Sequence, residues 1–134
     1  MQYVLNVIMN ENRDRVLLIR KNRPKWQKGK YNFVGGKVED NENEFEAVIR
    51  ETKEECDLYI YPQLIGTIKS NDFTVYVYRS IINNLYDVQQ QTDESLAIFN
   101  EDSWDSLRKL GVENVSEILE ICAKQKPQYF IFNY

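Results

Sequence analysis

Apolar and polar positions fall in short blocks whose period changes along the chain. Tyr3 to Met9 is an apolar run that predicts a strand. The polar turn Glu11-Asn12-Arg13-Asp14 follows, and Val16 to Ile19 resumes the apolar run, so the pair predicts a hairpin. Arg20 to Lys30 breaks the pattern, with Pro24 and Gly29 as interruptions. Tyr31 to Val34 predicts a short strand, and Gly35-Gly36 predicts the start of a loop. Ile60 to Ile68 and Phe73 to Ile82 predict two further strands. In the second, Phe73, Val75 and Val77 alternate with Thr74, Tyr76 and Tyr78. Leu96 to Phe99 predicts a short strand, and Asp102 to Leu110 a short helix capped by Gly111. Val115, Ile118, Leu119 and Cys122 have the spacing of a second long helix, ended by Pro127. The aromatic tail Tyr129 to Tyr134 predicts a strand or a segment packed on the body. Strands and helices mix without regular βαβ alternation. The fold class expected is therefore α+β, a mixed β-sheet layered between α-helices.

The first helix, Asn43 to Cys56, carries two patterns at once. With about 100° per residue and Glu51 as origin, Glu54 falls near about -60° and Glu55 near about 40°. Phe45, Val48, Ile49, Thr52 and Cys56 fall on a separate apolar stripe. One side of the helix is thus expected to anchor in a core while the next presents three acids. Like charges at i, i+3 and i+4 repel on a bare helix. A hard divalent cation such as magnesium would remove that repulsion and still accept phosphate oxygens.

Composition narrows the chemistry. There is no histidine among 134 residues, which excludes Ser-His-Asp and Cys-His catalysis and histidine-bound zinc. Acid-base work then falls to carboxylates, Lys, Tyr or metal-activated water. Cys56 and Cys122, with no CxxC, read as two reduced thiols. A net charge of -4 argues against stable nucleic-acid binding. No stretch approaches a membrane span, and the N-terminus has no basic segment followed by an apolar one, so the cytoplasm is the expected location. The size is that of one domain, residues 1–134. A monomer and a homodimer are both compatible with it.

Gly35-Gly36, Lys37, Glu39 and Glu42 lead into the helix, with Asn43 or Asp40 as its cap. Gly36, Glu42, Arg50, Glu51, Glu54, Glu55 and Leu58 match the pattern G-x5-E-x7-R-E-U-x-E-E-x-G-U over 23 residues. This resembles the box of the Nudix hydrolases, and the order of strands around it resembles the Nudix fold. Two positions depart from the box. Thr52 stands where a bulky apolar residue is usual, so its hydroxyl needs a partner, such as a carbonyl one turn back. Asp57 replaces the final Gly, which normally supplies a left-handed helix end.

The resemblance implies magnesium, with manganese as a substitute, held by Glu51, Glu54, Glu55 and the carbonyl of Gly35. It implies that Arg50 and Glu42 brace the catalytic segment, and that an acid from a later loop completes the metal and catalytic set. Glu94 of the Asp93-Glu94 pair is favoured for that role. Lys37 would lie near the phosphates. Arg20, Lys21, Arg23, Lys25, Lys28 and Lys30 put six cations in eleven residues just before the box, suited to steering a polyphosphate. Trp26 is a candidate to stack on a base. Residues 29–39 resemble the MutT-type members of the family, in some of which an Asn at the place of Asn32 touches the purine. The expected activity is pyrophosphohydrolysis of a nucleoside triphosphate to monophosphate and pyrophosphate. The alternatives are hydrolysis of ADP-ribose, a dinucleoside polyphosphate or another nucleoside diphosphate derivative, and binding of a nucleotide without catalysis.

Overall fold

The computed structural model describes residues 1–133. Eight strands are β1 (Gln2–Met9), β2 (Arg15–Arg20), β3 (Tyr31–Asn32), β4 (Val34–Lys37), β5 (Gln63–Lys69), β6 (Thr74–Ile81), β7 (Leu96–Asn100) and β8 (Phe130–Asn133). Three α-helices are α1 (Glu44–Cys56), α2 (Leu107–Leu110) and α3 (Val115–Cys122). The sheet runs β3-β2-β1-β6-β5-β8, with β4 added to β1 and β7 to β2. It is mixed: β1 pairs with β6 in parallel and with β2 and β4 antiparallel.

Alternation along β1 explains the layers. Val4 packs with Ala47 and Val48 of α1 on one face. Val7 and Met9 join Leu107, Val115, Ile118, Leu119 and Cys122 of α2 and α3 on the other. The expected α+β sandwich is therefore present.

The boundaries differ in instructive places. Gly35-Gly36 is not a loop: both glycines lie in β4, opposite Leu5 and Val4. The predicted strand from Tyr31 to Val34 is two strands, because Asn32 pairs with β2 and Val34 with β1. β5 begins at Gln63, although Ile60 before it is buried. The segment after β7 is a 3-10 turn, Glu101–Ser106, running into the short α2. α3 is eight residues rather than long. Its end is closed by arginines: Arg79 Nη1 donates to the Cys122 and Lys124 carbonyls, and Arg13 Nε to that of Ala123. The tail forms β8 beside β5, with Tyr134 outside the described residues.

The sheet splits in its middle, and the split places the site. β1 and β2 share an edge only at Ile8–Leu17 and Met9–Val16. Beyond that β2 continues into β3 and β1 into β4. A cavity of about 580 Å³ opens at this divergence, between Leu5, Asn32, Phe33 and the Val112–Ile118 wall.

Candidate active site

α1 starts with a full capping box. Asn43 Oδ1 accepts from the Glu46 N–H (2.8 Å), and Glu46 Oε1 accepts from the Asn43 N–H (3.0 Å). Its end is Asp57, in the left-handed region at φ 56°, with a side-chain ion pair to Lys53. Asp therefore takes the conformation for which glycine is usual.

The buried face is Ala47, Val48, Thr52, Glu55 and Cys56. Phe45 is exposed, and Ala47, outside the expected stripe, is fully buried. Thr52 does not bond a carbonyl one turn back. Asn6 Nδ2 of β1 donates to its Oγ1 (3.0 Å), and Ser80 Oγ of β6 donates to Asn6 Oδ1 (2.9 Å). The polar departure in the box is thus one end of a buried Thr52–Asn6–Ser80 chain.

The three acids do not share one environment. Glu54 is the exposed member. Burial pushes the Glu51 carboxyl above its ordinary range, though Arg50 opposes the shift. Glu55 is only 8% exposed. Burial first, and then the charge of Glu51, pushes its pKa up to about 8. Gly35 contributes its N–H, donated to Glu55 Oε2 at 3.0 Å. The glycines provide space rather than unusual angles. A Cβ at Gly35 would overlap the Val4 carbonyl oxygen, and one at Gly36 would overlap the Glu51 carboxylate.

Arg50 is the hub. Its guanidinium donates to both Glu42 oxygens (2.7 to 3.2 Å), to Glu51 (3.0 Å), to Glu54 (3.1 Å) and to the Lys37 carbonyl (3.0 Å). Its hydrogen bond holds Glu42 below the usual carboxylate range. This rigid fork ties the chain before the helix to the helix.

Glu94 is 4% exposed, and both its oxygens are taken. Lys21 Nζ lies 3.2 Å from Oε1, and the Asn22 N–H donates to Oε2 at 2.5 Å. Its charge acts on Glu55, so the later acid does sit by the box. Trp26, Asn32, Gly35 and Lys37 all line the cavity, and Arg20 and Arg23 do not. Arg23 is paired to Asp93 (2.8 Å). Asn32 uses Oδ1 to accept its neighbour Phe33's N–H (2.8 Å) and points Nδ2 at Gln27 (3.5 Å).

Sequence reasoning missed Lys21 as a site residue distinct from the other cations, and it missed Glu113 and Asn114 of the far wall. Lys21 directly follows β2, and it is the one cation of the 20–30 run that is not exposed. The far wall carries no motif.

Among the described residues no three acids or cysteines are arranged to hold a metal ion. Arg50 occupies the gap between Glu51 and Glu54. The donor chemistry nevertheless fits a hard divalent cation. Glu51 is half-buried and Glu55 buried, the charge of Glu51 raises the cost of ionising Glu55, and Arg50 reaches only the first of them. Both cysteines are buried and free. No helix among the described residues is long and apolar enough to cross a membrane.

Comparison with known proteins agrees with this architecture. A NUDIX hydrolase from Nitrosomonas europaea superposes with a TM-score of 0.74 at 18% identity, covering 98% of this chain and 78% of that one. The MutT protein of Bacillus halodurans gives 0.73 at 20% identity, covering 99% and 89%. The NUDIX domain of Shewanella oneidensis NrtR, complexed with ADP ribose, gives 0.74 at 16%, covering 90% and 84%. No curated protein matches by sequence. The model of the NUDIX domain family matches residues 2–126, nearly the whole chain, and with the Gly35–Leu58 geometry above it the chain belongs to the NUDIX family.

Proposed function

We propose that the protein is a divalent-metal-dependent hydrolase of a phosphoanhydride bond, acting on a nucleoside triphosphate to give monophosphate and pyrophosphate. The observation that carries this reading is the packing of two box carboxylates, the Arg50-paired Glu51 and the buried Glu55, against the strand β4 that walls the cavity. Glu51, Glu54 and Glu55 would hold the metal. When bound, magnesium or manganese supplies a hard positive charge that neutralises phosphate oxygens and acidifies water.

The chain's own residues do the rest. Arg50 fixes Glu51 and Glu54 on the helix and ties Glu42 and the Lys37 carbonyl to them. Lys21 and Lys37, both lining the cavity, face the negative polyphosphate. Water attacks one of the two phosphorus atoms flanking the bridging oxygen. The bridging P–O bond breaks, the leaving phosphate keeps that oxygen, and the water's proton passes to a carboxylate of the box or to Glu94. Catalysis of this kind is mostly positioning and electrostatics.

A second reading, hydrolysis of an ADP-ribose-like diphosphate, is favoured by the likeness to the NUDIX domain complexed with ADP ribose. One panel separates them. Nucleoside triphosphates, ADP-ribose and dinucleoside polyphosphates are incubated with magnesium or with EDTA, and the products are resolved by chromatography. Monophosphate and pyrophosphate from a triphosphate support the first reading. Turnover of ADP-ribose alone supports the second. No metal-dependent turnover of any member defeats both and leaves a binding module.

A further inference from the structure

The cavity lining combines two kinds of chemistry. Gly35 and Gly36, which touch Glu55 and Glu51, line it together with the cations Lys21 and Lys37. Trp26, Gln27 and Asn32 line it as well, offering a flat indole and two amides. Trp26 is 65% exposed, whereas Trp104, the second tryptophan, is 8% exposed with Nε1 donating to the Phe99 carbonyl. A lone exposed aromatic is ordinary on a surface. One held at the rim of a cavity by a fixed loop is not.

The loop is fixed at three places. Its base is closed by main-chain bonds, with the Lys21 N–H donating to the Lys30 carbonyl and the Gly29 N–H to the Lys21 carbonyl, both 2.8 Å. Its tip is a 3-10 turn, Lys25–Gln27. Its first residues are gripped by the turn before β7. Asn22 Nδ2 donates to the Asp93 carbonyl (3.1 Å), Arg23 Nη2 to Asp93 Oδ2 (2.8 Å), and the Arg20 N–H to the Ser95 carbonyl (2.8 Å). The Asp93–Arg23 pair is exposed on both sides and adds little to stability. What it does is orient the loop that carries Trp26.

We propose that Trp26 is the platform on which the substrate's aromatic base stacks, held in place by the Asp93 clasp on Asn22 and Arg23. The inference rests on the nucleotide reading above and adds to it the residue that grips the base. Every base has a π-face, so such a platform selects for an aromatic base over a bare polyphosphate and discriminates weakly among bases. Asp93 and Arg23 are positioning residues in this account and touch no substrate.

The wild-type protein supplies the first test. Because Trp104 is buried, quenching of tryptophan fluorescence by a nucleoside monophosphate in EDTA reports on Trp26. Saturable quenching by the monophosphate and none by ribose 5-phosphate is expected. Trp26→Ala should raise KM for the nucleotide by about 5- to 150-fold with little change in kcat. Inhibition by tripolyphosphate, which has no base, should be unaltered, and Trp26→Phe should recover most of the loss. Asp93→Ala should raise KM in the same direction, and adding it to Trp26→Ala should do nothing more. Absence of quenching, or a Trp26→Ala KM within about twofold of wild type, overturns the proposal. If the wild type hydrolyses no nucleotide, the functional reading fails, and the fluorescence titration still decides whether Trp26 meets a base.

Discussion

At the scale of single residues, Glu55 carries most of the tension in the site. Its folded pKa of about 8 lies above the ordinary 4.5, through burial and the charge of Glu51. A raised folded pKa means that the folded state keeps a proton the unfolded chain has already lost. Stability from this source is full below about pH 4.5 and is lost as pH rises toward 8. Glu51 shifts in the same direction. Glu42 and Asp93 are lowered and act below that window. With no histidine in the chain, this window is free of imidazole titration. The melting temperature in EDTA should therefore fall steadily between pH 5 and 8, and saturating magnesium should flatten the slope. A flat or rising profile in EDTA would contradict the environment assigned to Glu55.

Thr52 makes a second residue-scale prediction. Its hydroxyl accepts the Asn6 side-chain amide in a region where both residues are fully buried. Thr52→Val keeps the volume and leaves that amide donor without its acceptor. It should cost about 1–3 kcal/mol in denaturant unfolding, while the metal requirement stays. A neutral result would mean that the Thr52–Asn6–Ser80 chain does not stabilise the layer under α1.

At the scale of elements, the basic loop and the catalytic helix answer to different physics. Lys25, Lys28 and Lys30 are exposed, so they act at a distance and through solvent. Neutralising all three should lower kcat/KM more than kcat, and the difference from wild type should shrink as salt rises. An equal fall in kcat at every ionic strength would place these lysines in the chemical step or in the fold. The helix was legible from sequence because its signals are local: a capping residue, an apolar stripe and acids at fixed spacing. The expectation of a loop at Gly35-Gly36 fails for an equally physical reason. A Gly pair signals either unusual angles or close approach, and only the partner strand β1 and the Glu51 carboxylate reveal that close approach is the cause. The split of residues 31–34 between two partners was hidden likewise, since pairing is a tertiary choice.

At the scale of the whole molecule, the divergence of β1 from β2 turns a layered sheet into a binding fold. Gly35 and Gly36 of β4 line that opening and touch Glu55 and Glu51, which do not line it themselves, and the 20–30 loop approaches it from the end of β2. Sequence pattern supplied the box and the loop. It did not supply the far wall at Val112–Ile118, where packing across the sheet brings together residues with no motif of their own. Nor did it reveal that Lys21 and Asn22 already engage Glu94, since residues 21 and 94 meet only through the pairing of β2 with β7.

The central claim is that this acid cluster carries a metal-dependent hydrolysis. Its most direct test is the initial rate of nucleoside monophosphate release from a triphosphate, followed against magnesium concentration for wild type and Glu55→Gln. Gln keeps the shape and removes the buried charge, so the variant should fold at least as stably at pH 8. The account predicts saturable magnesium activation in the wild type, no rate in EDTA, and a loss of at least about a hundredfold in the variant at any magnesium concentration. A folded Glu55→Gln protein with the wild-type rate at saturating magnesium, or a wild-type rate indifferent to EDTA, would contradict it.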